Sequence, residues 1–154
     1  MKKNIALMLA VSTLLLAGCS TTQVATKTSS QKAAIESVFT QRAKIKEKDE
    51  RVGLLSNERV AGLMAIDVQN CPADFRSSWF DYLVEVQNLH TRIERVALIA
   101  SGEGKPVTDL PSLIKFTVTS PGIGQYLLDA LNKDDEALKK LERSAMNYGV
   151  MPEH

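Results

Sequence analysis

The chain has 154 residues with 19 basic and 18 acidic side chains, a balance that gives it no net field with which to attract DNA, RNA or anionic lipid. Its length suits one domain, large enough to bury about two thirds of its unfolded surface. Two cysteines are present, Cys19 and Cys71, and no metal, cofactor, catalytic or nucleic-acid pattern accompanies them.

The chain opens on Met1-Lys2-Lys3-Asn4 and continues as an apolar run from Ile5 to Ala17, interrupted by Ser12 and Thr13. A bilayer span takes roughly 20 apolar residues, so this run is too short to cross. A cationic start, an apolar centre and small residues before a cut describe a secretory signal peptide. The segment ends in Leu16-Ala17-Gly18-Cys19, which resembles the lipobox of bacterial lipoproteins. That resemblance implies removal of residues 1–18, diacylglycerol on the Cys19 thiol and acylation of the new amino terminus. One acyl chain holds a protein to a membrane only marginally, whereas two or three on one residue keep it there. Ser20 rather than aspartate follows the cysteine. In a Gram-negative cell the resemblance then implies the inner leaflet of the outer membrane, facing the periplasm. Loss of Lys2 and Lys3 leaves 17 basic against 18 acidic side chains.

Residues 19–31 are rich in serine and threonine and show no apolar period. Such a segment cannot bury enough apolar surface to offset its ordering entropy, so it reads as a flexible tether. It reaches roughly 40 Å when stretched and roughly 20 Å as a coil. Residues 32–150 read as an all-α domain, a small bundle of about four to six helices, with residues 151–154 as a tail.

The spacing predicts a first helix from about Gln31 to Arg51, with Ile35, Val38, Ile45 and Val52 on one seam and Arg42 and Asp49 interrupting it. The mixed charges from Lys44 to Arg51 read as a solvated face. Gly53 marks a bend. A second helix, roughly Leu54 to Asp67, would turn Val60, Leu63, Met64 and Ile66 inward. Pro72 suits a first helical position, and Asp74 favours the first turn. The next helix places Phe75, Trp79, Leu83, Val86, His90, Ile93, Ala97 and Ala100 on one stripe, a rod of roughly 43 Å. Gly102-Glu103-Gly104-Lys105-Pro106 stops it. A short helix is expected around Leu110 to Phe116, with Phe116-Thr117-Val118-Thr119 as helix end or loop. Ser120-Pro121 begins the last helical stretch, with Leu127, Leu128 and Leu131 on its inner face. Asn132-Lys133-Asp134 reads either as a tight corner or as a polar turn within one long helix. Acidic residues from Asp134 to Glu136 precede Lys139, Lys140 and Arg143, in the order the helix dipole favours. Leu138, Leu141, Ala145 and Tyr148 would face inward, and Gly149 suits a helix stop.

Five features are candidates for function. Cys71, left without an intramolecular partner if Cys19 is acylated, reads as a buried thiol beside Phe75 and Trp79, with an intermolecular disulfide or a redox role as alternatives. His90 lies on the apolar stripe four residues before Glu94, and two ligands fall short of a zinc site. Gly102-x-Gly104 and Gly122-x-Gly124 lack the strand and the full fingerprint of a dinucleotide loop, and Gly122-Ile123-Gly124 suits close backbone packing. Adjacent carboxylates such as Asp134 and Asp135 diverge on a helix and make no acid/base pair. The aromatic group Phe75, Trp79, Phe80 and Tyr82 exceeds one stripe, so Phe80 and Tyr82, with Lys105 of the 103–121 segment, form the candidate partner surface. These residues are consistent with a non-enzymatic envelope module that binds another envelope protein, an assembly intermediate or peptidoglycan. The alternative is a small ligand-binding or enzymatic domain with a cleft beside His90 and the 103–121 segment.

Overall fold

A computed structural model describes the backbone of residues 17–50 and 56–152, and the side chains of residues 28–48 and 56–152. Most of the expected signal peptide, Val52 and the Gly53 bend fall outside these residues. All regular structure among the described residues is helical: α1 Ala17–Glu50, α2 Asn57–Met64, α3 Ala73–Gly102, α4 Leu110–Thr119 and α5 Pro121–Met146. The all-α expectation holds, within the expected number of helices.

Helix ends follow local chemistry. Ser56 caps α2 by accepting from the Arg59 N–H at 3.1 Å. Asp109 caps α4 by accepting from the Ser112 N–H at 2.8 Å, while the Ser112 hydroxyl accepts from the Asp109 N–H at 3.2 Å, a reciprocal capping box. Pro121 opens α5 at its first turn, where a missing N–H costs nothing. Gly104 and Gly149 both take φ of 72°, which lets Lys105 and Val150 donate back to the carbonyls of Ala100 and Ala145.

Several boundaries differ from expectation. Helical backbone in α1 begins at Ala17, ahead of the start expected near Gln31. Residues 28–30 are exposed there, and Ile35 is the first fully buried side chain. The thirteen helical residues from Cys19 to Gln31 span about 18 Å from first to last, close to the reach of a coil of that length. Pro72 is the cap of α3 rather than its first helical residue. α2 is shorter than its apolar spacing suggests, and Ile66 is buried just beyond its end. Thr117 to Thr119 complete α4, and α5 passes through Asn132-Lys133-Asp134 unbroken.

α3 and α5 pack along their lengths and form the spine. Two apolar clusters sit on it. The larger joins Ile35 and Val38 of α1, Val60 and Leu63 of α2, Phe75, Trp79 and Tyr82 of α3, and Leu141 and Ala145 of α5. The smaller joins Val96 and Ala100 of α3 with Leu113 and Phe116 of α4 and Leu127 of α5. Three expectations about inward faces fail: Met64 is 55% exposed, Leu128 48% and Leu131 50%. The larger cluster closes over Leu63 without Met64. On α5, Gly124, Leu128 and Leu131 share a face at i, i+4 and i+7. α4 meets that face at Gly124, where an added Cβ would lie 3.0 Å from the Thr117 carbonyl oxygen, and leaves the two leucines uncovered.

Candidate functional site

Of the three residues expected at a partner surface, Phe80 and Lys105 are exposed and Tyr82 is buried. Tyr82 is 1% exposed, its ring 5.7 Å from Trp79 and its hydroxyl accepting from Arg42 Nε at 3.2 Å. The Arg42 guanidinium also lies over the ring. Arg42 had looked like an interruption of the α1 seam, yet it satisfies the one polar atom of a buried tyrosine and supplies cation–π contact. Phe80 points away from this core and forms an exposed pair with Val84, one turn on. Beside Val84 runs an open groove between α3 and α5. Its charged walls are balanced, and Lys140 is neutralised by Asp81.

Cys71 is buried in the larger cluster with Phe75 and Trp79, as its structural reading expects. Burial pushes its thiol pKa up and Asp67 adds to this, with Arg76 opposing. A raised thiol is a poor nucleophile, which argues against a redox role.

His90 is buried, and its Nε2 lies 2.7 Å from Asn57 Oδ1 and 3.3 Å from Glu94 Oε1. Both neighbours are acceptors, so Nε2 carries the hydrogen and the ring is a donor that ties α3 to the start of α2. Neither described cavity is lined by His90. Among the described residues no group of three or more metal-ligating side chains occurs.

One half-buried polar cluster was not legible in the sequence. Asp134 of α5 sits among Arg42, Arg59 and Glu85, and its Oδ1 has no hydrogen-bond partner among the described residues. Burial raises its pKa above the ordinary carboxylate value; the two arginines pull it down, and Glu85 and Asp135 push it up. A raised folded pKa means that the native state binds the proton more tightly than the unfolded chain. Stability is therefore lost as pH rises from the ordinary carboxylate range through the raised value. Asp134→Asn is expected to raise the melting temperature at pH 7, with the gain shrinking below about pH 4. A lower melting temperature at pH 7 would show that the arginines hold the charged form.

The remaining site is the end of the molecule formed by α4. Leu110, Ile114 and Val118 lie at i, i+4 and i+8 on one face and are 50, 53 and 75% exposed. Ser112, Lys115, Phe116 and Thr119 occupy a different face, which with Lys105 and Pro106 lines a cavity of about 400 Å³. Lys105 Nζ stands 5.9 Å above the Phe116 ring and 3.5 Å from Glu103 Oε2. No family model, curated protein or solved structure matches this chain. Its chemistry must therefore be read from these side chains alone.

α4 is also far from the start of α1. Phe39 meets Phe75, Arg42 meets Tyr82 and Lys48 meets Glu58 beside the His90 group, so α1 runs in the same direction as α3. Its first residues therefore lead away beyond the amino-terminal end of α3, whereas α4 packs at the carboxyl-terminal end. Lys105 of this region is legible in the sequence but the ridge is not, because Leu110, Ile114 and Val118 read equally well as core.

Proposed function

We propose that this protein is a lipid-anchored envelope lipoprotein whose helical domain is a non-enzymatic binding module. The anchor rests on Leu16-Ala17-Gly18-Cys19, and Ser20 supports the periplasmic face of an outer membrane. Among the described residues no helix is long and apolar enough to cross a membrane.

The observation that carries the binding role is the placement of uncovered aliphatic side chains. Leu110, Ile114 and Val118 of α4, with Leu128 and Leu131 of α5, are about half or more exposed at the end of the bundle remote from α1's first residues. Contiguous exposed apolar surface marks interaction sites. A domain held by its amino terminus presents this end outward, toward another envelope component. A photo-crosslinking residue at Val118 is expected to give a discrete adduct in whole cells, and one at exposed Asn88 none. Equal labelling from both positions, or none from Val118, would overturn the binding role.

A further inference from the structure

We propose that the cavity beside α4 binds a small amphiphilic anion, a carboxylate carrying a short apolar body. The inference deepens the binding-module reading by naming a ligand class for the α4 end, and it does not require the lipid anchor.

The lining decides the ligand's charge. The six residues around the cavity are Lys105, Pro106, Ser112, Lys115, Phe116 and Thr119, with two ammonium groups and no carboxylate among them. Lys105 pairs with Glu103 Oε2 at 3.5 Å, whereas Lys115 has no carboxylate within ion-pair distance among the described residues. The α3–α5 groove makes the contrast clear: Asp81, Glu85 and Glu136 balance Lys133, Lys140 and Arg143 there. Of the two described cavities, the α4 cavity is the one that keeps an excess of positive charge, carried by Lys115.

The hydroxyls narrow the choice further. Ser112 Oγ donates to the Asp109 carbonyl at 2.9 Å, and Thr119 Oγ1 to the Phe116 carbonyl at 3.0 Å. Their hydrogens are committed to the backbone, so the donors left for a ligand are the lysine ammoniums. A hydrogen-bond-accepting, negatively charged head therefore fits, and a neutral or cationic one does not. The remaining wall is the Phe116 ring, the Pro106 ring and the lysine stems, which suit an apolar body. A volume of about 400 Å³ falls at the small end of ligand pockets and admits a short chain or one ring.

The test uses the chain from residue 20 onward, which retains every buried side chain described, with octanoate as probe and calorimetry as readout. Saturable octanoate binding is expected, with octanol and acetate both weaker, since each lacks one half of the ligand. Lys115→Gln should weaken octanoate about fivefold, the effect of one partly exposed charge pair. Lys139→Gln, outside the cavity, should leave it unchanged. Octanol binding as tightly as octanoate, no saturable binding, or equal losses in the two lysine variants would overturn the proposal. Crosslinking from Val118 reads the ridge and octanoate reads the cavity on another face of α4, so either idea can fail alone.

Discussion

Trp79→Ala is expected to destabilise the domain by about 3–5 kcal/mol, measured by urea denaturation of the chain from residue 20 onward. Trp79 is 1% exposed and packs in the larger cluster among residues of α1, α2, α3 and α5. Removing the indole leaves a cavity that none of four helices can close without moving the others. A loss of that size approaches the total stability of many domains, about 5–15 kcal/mol, so the variant should be partly unfolded at 37 °C. Phe80→Ala supplies the contrast. It deletes an aromatic ring one position along the same helix, but from a side chain 58% exposed, and should shift stability by less than about 0.5 kcal/mol. Similar losses in both variants would mean that the α3 faces are assigned wrongly.

Cys19→Ala is expected to abolish stable membrane association. Burying acyl chains contributes about 0.8 kcal/mol per methylene, so two or three chains dominate every other membrane contact available to a near-neutral domain. Intact mass should show the acyl increment on the wild type and none on the variant. Fractionation after a high-salt wash should leave the wild type with the membrane and release the variant. A wild type without acyl mass would end the lipoprotein proposal. The helical domain would then stand as a soluble secreted protein, and the octanoate experiment would keep its meaning.

Helix ends and a single apolar stripe are the easiest features of this chain to read, and helices with apolar residues on more than one face the hardest. Pro121 at the start of α5 and glycine at positions 104 and 149 act on backbone groups within a few residues, so their effect is legible before any fold is known, whereas Ser120 makes no side-chain cap hydrogen bond. The stripe from Phe75 to Ala100 was equally legible, because a 3.6-residue period leaves one face to bury. Phe80 and Tyr82 could not be separated that way. They stand two positions apart on a helix with apolar residues on more than one face, and only the placement of Arg42 decides that Tyr82 goes in.

The sequence by itself determined that the regular structure is helical and where most helices stop, and it carries the Leu16-Ala17-Gly18-Cys19 pattern on which the proposed lipid anchor rests. Those properties depend on neighbours along the chain. The tertiary structure decided which apolar residues stay uncovered: Met64, Leu128, Leu131 and the α4 ridge. It also set Asp134 among two arginines and Glu85, and gathered Lys105 and Lys115 around one cavity. The physical reason is that a helix with two apolar faces carries no local signal of which face another helix will cover. Charges from distant helices likewise meet only after packing is complete.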